Sequence, residues 1–234
     1  YFVISDIHSH YEAMISSLEN AGYNQHNSGH HLIVLGDLFD RGENAVKVYK
    51  FLHTLTDTNK ATMIIGNHDL FLLDFLDKRF DKVYFNIKHN GFDKTLKQFS
   101  GLNINNHDFE EIHQAIMRDF PKLKKWLNEF LPFLEVGKYI FVHGWIDGTK
   151  QNWKKTPLYE LVWNREVNLQ PLKDKIVVAG HHRTATIRSD RKDYIQLYKD
   201  HPDKFDILYK EGKILIDRFV EISKSINVLI LDNI

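Results

Sequence analysis

Cysteine is absent from the 234 residues, which removes disulfides, thiolate metal ligands and every mechanism built on a cysteine nucleophile. An excess of one charge is absent too: 31 basic residues meet 31 acidic ones, for a formal net charge of zero and a pI near 7.4. No global field therefore holds a nucleic-acid backbone or an anionic membrane, and neither partner is expected. No apolar run reaches the ~18 residues of a membrane span. Only 5 prolines occur, and no stretch rich in Pro, Gly or Ser divides the chain. One domain over residues 1–234 is expected, its core drawn from a composition 43% hydrophobic and 26% charged. No signal-peptide pattern is visible, and a cysteine-free chain suits a reducing compartment, so the expected location is cytoplasmic. The chain opens at Tyr1 inside a strand-like run, so nothing follows about what precedes it.

Histidine, by contrast, is abundant: 14 residues, an excess for which metal binding is one reason. The first third alternates strand and helix. Tyr1–Ile4, His31–Leu35 and Ala61–Ile65 are short apolar runs that read as buried strands. Between them, Tyr11–Gly22 and Asn44–Leu55 carry apolar residues at helical spacing. This β-α-β-α-β rhythm indicates an α/β layered domain. A mainly helical segment follows over about residues 70–135, with Pro121 starting one helix and Pro132 helping to end it. Strands return at Lys138–Val142 and Lys175–Ala179, and Phe205–Leu231 reads as several strands with a hairpin turn at Glu211-Gly212.

Each of five strands runs into polar residues of metal-ligand type. These are Asp6-Ile7-His8, Gly36-Asp37-Leu38-Phe39-Asp40-Arg41-Gly42, Gly66-Asn67-His68-Asp69, His143-Gly144 and Gly180-His181-His182-Arg183. In open α/β sheets ligands bind beyond the carboxyl ends of strands, so these residues are expected to meet at one edge. Carboxylates, an amide and imidazoles without sulfur suit divalent ions such as Mn, Fe or Zn. A carboxylate shared by two ions makes a centre that activates water and clamps an in-line displacement at phosphorus. Arg41 adds a bidentate clamp for a phosphate oxygen. Each motif alone is more often a turn than a site; in this order, each directly after a strand, they point to phosphoester hydrolysis.

These residues resemble the motifs of the calcineurin-like metallophosphoesterases, and within them the phosphoprotein phosphatase (PPP) branch, whose pattern is GDxHG, GDxxDRG and GNHE. Asn90-Gly91-Phe92-Asp93-Lys94-Thr95-Leu96 is similar to the NGG-x-x-TL stretch of the bacterial and bacteriophage serine/threonine phosphatases. Leu161-Val162-Trp163-Asn164-Arg165-Glu166 resembles their LLWxRE motif. The resemblance implies a calcineurin-like fold, a central β-sandwich flanked by helices in four αββα layers. It implies two divalent ions, Mn first, with Fe or Zn as alternatives. Asp6 and His8 hold one ion, Asp37 bridges both, and Asn67, His143 and His181 hold the other. His68 is the implied general acid, oriented by Asp40, and Arg41 and Arg165 bind phosphate oxygens. A hydroxide bridging the ions attacks phosphorus directly, without a phosphoenzyme.

Some positions depart from the pattern. Ser9 replaces a Gly, Asp69 replaces a Glu with shorter reach, and Trp145 stands where a small or apolar residue is common. Trp145 either walls the cleft or, in the preferred reading, packs beneath His143. Of the adjacent His181 and His182, the Gly-His register selects His181 as ligand; His182 is expected behind the ligands or in solvent, and Arg183 at a surface or cleft rim. The other histidines, His89 among them, read as surface residues, with His10 the one close to a motif. The leading functional expectation is dephosphorylation of phosphoserine and phosphothreonine in proteins. The alternative is hydrolysis of dinucleoside polyphosphates such as diadenosine tetraphosphate, for which 234 residues is short and for which Trp145 or Trp153 is the residue to examine as an adenine platform. A non-catalytic metal-binding module stands behind both, disfavoured because all six ligands, His68 and both arginines are present.

Overall fold

The apolar runs of the first third form β1 (Phe2–Ile4), β2 (Leu32–Val34) and β3 (Ala61–Met63), separated by helices α1 (Tyr11–Asn20) and α2 (Ala45–Asp57). The structure, a computed structural model, describes residues 1–149, 152–165 and 172–232. Glu166, the last residue of the Leu161–Glu166 stretch, lies outside the described residues. The helical segment comprises α3 (Asn67–Leu76), α4 (Tyr84–His89), α5 (Phe92–Ser100), α6 (Phe109–Asp119) and α7 (Leu123–Asn128). Pro121 stands just ahead of α7 and Pro132 just after it, as their missing donors require. A strand the pattern did not suggest, β4 (Leu134–Val136), precedes β5 (Tyr139–Val142). Next come α8 (Leu158–Trp163), β6 (Ile176–Arg183), α9 (Thr184–Arg188) and α10 (Tyr194–Asp200). The tail holds β7 (Leu208–Lys210), β8 (Lys213–Asp217), α11 (Val220–Ser223) and β9 (Leu229–Ile230). β7 and β8 pair antiparallel about Glu211-Gly212, the hairpin expected there, with Gly212 at φ 65°.

Two sheets result. One has strand order β3-β2-β1-β9, the other β4-β5-β6-β8-β7. β1, β2 and β3 run parallel in the first, and β5, β6 and β8 run parallel in the second. Side chains alternate between faces along each strand. Val3, Ile33 and Leu35 point toward the second sheet and share one core with its Phe141, Val178, Ile214 and Ile216. The neighbours Phe2, Ile4, Leu32 and Val34 face the other way and pack on Met14, Leu18, Val48, Leu52, Leu72 and Phe75 of the helices. Ile140, Val142, Val177, Ala179 and Leu215 face outward from the second sheet onto Trp145 and Leu161. Four αββα layers follow from this double alternation. No helix among the described residues is long and apolar enough to cross a membrane.

Parallel strands share a direction, so their carboxyl ends lie together at one edge. There the backbone passes very close to itself. Gly36 has φ 77°, and a Cβ on it would lie 2.4 Å from the Gly66 backbone nitrogen. Only glycine meets both demands. Gly36→Ala is therefore expected to cost about 3 kcal/mol or more. Gly22→Ala serves as control: its φ is 82° but nothing lies within 4 Å of the added carbon, so the cost is about 1 kcal/mol. Urea unfolding of both variants measures the difference; equal costs would mean that the close approach is not tight.

Candidate metal centre

Asp6 follows β1, Asp37 follows β2, and Asn67 with His68 opens α3 after β3. From the other sheet come His143 after β5 and His181 near the end of β6. All six are nearly inaccessible to solvent, none exceeding 5% exposure. Asp6, His8, Asp37, Asp40, Arg41 and His181 all have φ between 45° and 72°. Left-handed backbone in non-glycine residues is strained, and its concentration here reflects how sharply each strand must turn to aim a ligand atom inward. Ser9, where the resembled pattern has Gly, shares this conformation at φ 60°.

Tautomers are fixed from behind. His8 Nδ1 donates to the Phe39 carbonyl at 2.9 Å, and His143 Nδ1 to the Leu35 carbonyl at 2.6 Å. Each Nε2 is thereby turned toward Asp37, whose carboxylate lies 3.6 Å from His8 Nε2 and 3.3 Å from His143 Nε2. Asn67 Oδ1 is 3.0 Å from the same His143 nitrogen. His181 Nε2 is buried without a hydrogen-bond partner among the described residues. A buried lone pair without a donor is costly, and imidazoles backed by carbonyls around a shared carboxylate are the ligand geometry of a divalent ion. The residues fit a metal: His8, Asp37 and His68 form one group able to hold an ion, and Asp37, His143 and His181 form another. Asp6 approaches from the side, accepting the His181 backbone N–H at 2.9 Å.

Charge in this enclosure is tightly coupled. Burial opposes ionisation of Asp37, yet the facing His143 and His68 imidazoles hold its carboxyl well below the usual range. Burial pulls His143 down, but Asp37 overrides it and raises the imidazole to about 9. Burial, reinforced by the His143 charge, drives His181 far below an ordinary histidine. Burial and Asp217 push Asp6 well up. Bound cations would relieve these strains together.

His68 Nδ1 lies 2.6 Å from Asp40 Oδ2. Thr95, inside the Asn90–Leu96 stretch, locks that carboxylate: its hydroxyl donates to Asp40 Oδ1 at 2.6 Å and accepts the Asp40 N–H at 2.9 Å. Arg41 faces the same rings, Nη1 at 2.7 Å from His8 Nε2 and Nη2 at 2.9 Å from His68 Nε2. Asp69 is not too short for its place, since it accepts the N–H groups of Gly66, Asp37 and Leu38 at 2.8, 3.0 and 3.0 Å.

A cleft of about 350 Å³ opens over the centre; Arg41, His68, Trp163 and Arg165 line it, and so do His89, Arg183 and Asp217. Of these, His89 and Asp217 were missed in the sequence. Asp217 ends β8, so the strand-end rule would have found it. His89, read as a surface residue, reaches the cleft from the end of α4. Arg183, left between surface and rim, stands in the wall. Glu221 of α11 was missed as well; its Oε1 accepts from Arg41 Nη1 at 2.8 Å and from Arg183 Nη2 at 3.3 Å. His182 is not in solvent: β6 shifts register between Ala179 and Arg183, and His182 turns away from the cleft to Gly144 O, 3.3 Å from Nε2, edge-on to Trp145. Trp145 is 3% exposed and packs rather than walling the cleft, with His182, not His143, as its ring partner. Trp153 packs edge-on to Phe133. Neither tryptophan is therefore among the residues of the cleft wall. His10 precedes α1, its Nδ1 3.3 Å from the Ile7 carbonyl, and lies outside the cleft wall too.

Strand-end carboxylates and imidazoles gathered over a two-sheet sandwich define a metallophosphoesterase. The chain belongs to the calcineurin-like phosphoesterase family, whose model it matches over residues 1–216. It is similar to the symmetrical bis(5'-nucleosyl)-tetraphosphatase of Buchnera aphidicola subsp. Acyrthosiphon pisum (strain 5A), 38% identical over 72 residues, which cover 31% of this chain and 25% of that protein. It is similar also to the bis(5'-nucleosyl)-tetraphosphatase PrpE (asymmetrical) of Bacillus subtilis (strain 168), 25% identical over 155 residues, covering 62% and 57%. The matched part thus spans from a quarter to just over half the length of these relatives. Among solved structures, a putative diadenosine tetraphosphatase superposes with TM-score 0.58 at 16% identity over 93% of this chain and 82% of that one. The cold-active protein tyrosine phosphatase of a psychrophilic Shewanella species gives TM-score 0.58 at 16% identity over 99% and 75%. At such identities the likeness is one of fold.

Glu221 provides a pH test. Burial opposes its charge, but His8 and then the Arg41 and Arg183 guanidiniums facing it bring its carboxyl down to about 2 from the usual 4.5. A depressed acid stabilises the fold above its unfolded pKa and loses that contribution as pH falls through the folded value. Glu221→Gln is expected to cost the metal-free chain up to about 3 kcal/mol at pH 7. The gap to wild type shrinks steadily below pH 4.5. Urea unfolding at about pH 7, 5 and 3 measures it; a gap independent of pH would refute the ion-pair account.

Proposed function

We propose that the chain is a metal-dependent hydrolase of dinucleoside polyphosphates. The observation that carries this is the aromatic wall of the cleft beside its arginines. Trp163 lines the cleft, and Tyr159, one helical turn earlier on α8, lies 6.2 Å from it with ring planes tilted by 32°. Tyr159 is 71% exposed. An aromatic ladder leading out of a phosphate site suits a nucleoside base, which stacks on such faces irrespective of sequence. The curated relatives described above, symmetrical and asymmetrical tetraphosphatases, support the same substrate class. This reverses the order expected from the sequence, where a phosphoprotein stood first.

In this reading Asp6, His8 and Asp37 hold one divalent ion, and Asp37, Asn67, His143 and His181 hold a second, Mn being the first to test. When bound, such ions neutralise charge at phosphorus and make water a nucleophile at neutral pH. Arg41 and Arg165 orient the phosphoryl oxygens. A phosphoryl group draws the Arg41 guanidinium off His68 Nε2, 2.9 Å away in this structure. A protonated His68 then delivers a proton from Nε2 to the departing oxygen, held in line by Asp40 through Nδ1–H. A carboxylate-backed acid of this kind favours a second reading, phosphoserine and phosphothreonine hydrolysis, because an alkoxide needs the proton more than a phosphate leaving group does.

Two measurements follow. The chain is stripped, reloaded with Mn and compared on diadenosine tetraphosphate and a phosphothreonine peptide. The dinucleotide is expected to be preferred in kcat/KM, and Tyr159→Ala is expected to lower that value about tenfold while leaving the peptide unchanged. Preference for the peptide, with Tyr159→Ala silent, would install the second reading. Thr95→Val, which frees Asp40, is expected to cut kcat about tenfold on an alkyl phosphomonoester but less on the dinucleotide. Equal losses on both would remove the proton-delivery role from His68.

A further inference from the structure

Arg183 closes the Gly180–Arg183 motif and was expected at a surface or cleft rim without a role; it stands in the cleft wall and is held there from two sides. Its guanidinium carbon lies over the Phe219 ring, 3.6 Å from the centroid, a cation–π contact. Phe219 adopts φ 57°, a conformation unfavourable for a bulky residue, and thereby places its ring beneath the guanidinium. Glu221 Oε1 then ties Arg183 Nη2, at 3.3 Å, to Arg41 Nη1, at 2.8 Å. One carboxylate oxygen thus brackets two guanidiniums, both of which line the cleft. A guanidinium carries five donors, and one bond to Glu221 leaves Arg183 with more to offer. Lysine lacks the planar fork that makes both contacts.

We propose that Arg183, bracketed to Arg41 by Glu221, forms a second phosphate subsite that takes the phosphoryl group next to the one cleaved. The inference rests on the reading of the substrate as a polyphosphate, and it adds what selects a chain of phosphates over a single one. A monoester reaches only the centre and its Arg41–Arg165 clamp. A phosphoanhydride chain extends to Arg183, and the nucleoside it carries moves outward to the aromatic wall. Arg183 is a specificity residue and takes no part in bond breaking.

The test compares wild type, Arg183→Ala and Arg183→Lys after Mn loading. The probes are p-nitrophenyl phosphate, diadenosine tetraphosphate, and ATP against inorganic phosphate as competitors of p-nitrophenyl phosphate hydrolysis. Arg183→Ala is expected to lower kcat/KM for the dinucleotide about 30-fold, through KM, and to weaken inhibition by ATP by a similar factor. Hydrolysis of p-nitrophenyl phosphate and inhibition by inorganic phosphate are expected to change less than about twofold. Arg183→Lys, which keeps the charge and the fold but not the guanidinium, recovers only part of the loss. A uniform loss on all probes would make Arg183 a support of the centre and overturn the proposal, and so would no loss on any. A wild type that prefers a phosphothreonine peptide to the dinucleotide would sink the proposed function alone. The ratio of ATP to inorganic phosphate inhibition would still decide the role of Arg183.

Discussion

The Asp37 carboxylate is the contact on which the site is hung. Its Oδ1 accepts the His68 N–H at 2.9 Å and faces His143 Nε2 at 3.3 Å, while Oδ2 faces His8 Nε2 at 3.6 Å. The backbone of the same residue is equally committed. Its N–H goes to Asp69 at 3.0 Å and its carbonyl receives the His8 N–H at 3.0 Å. Histidines reach it from both sheets or from the loops after them, so one buried negative charge keeps several rings in one orientation. A lone buried carboxylate would be expensive; surrounded by imidazoles it is held ionised. The same carboxylate belongs to both of the groups able to hold an ion.

Much of this was legible because it is local. A short apolar run followed by Gly-Asp or Gly-Asn-His announces a buried strand and the sharp turn after it, and parallel strands share an edge. Asp6, His8, Asp37, Asn67, His143 and His181 consequently fall together where the sequence put them. His181 was separable from His182 because neighbouring residues at a strand end point apart, and the two rings do part, His182 Nε2 lying 3.3 Å from Gly144 O while His181 lines the cleft.

What escaped depends on contacts between distant segments. Thr95 sits in a stretch whose pattern was noticed, but its grip on Asp40 joins residues 55 positions apart. Glu221 lies in a tail that reads as strands; the turn that presents it is a helix of four residues entered through Phe219 in a left-handed conformation. No hydrophobic period marks so short an element. Trp163 was quoted within a motif while Trp145 and Trp153 drew the attention as base platforms, because exposure is decided by the packing of α8 against Phe71 and not by residue type. His89 reaches the cleft only because α4 ends there.

The sandwich has a mechanical consequence. Asp6, Asp37 and Asn67 ride on one sheet, His143, His181 and Asp217 on the other, so the spacing across the site depends on the layer of Val3, Ile33, Phe141, Val178 and Ile216 between the sheets. That dry layer is a spacer gauge. Protein interiors are packed densely enough to transmit a displacement rather than absorb it. Adding or removing a single methylene there shifts one set of ligands against the other, and a misplacement of ~1 Å at a reacting centre can cost about a hundredfold. The relative placement of the two sets of candidate ligands is therefore open to tuning by apolar residues remote from the cleft.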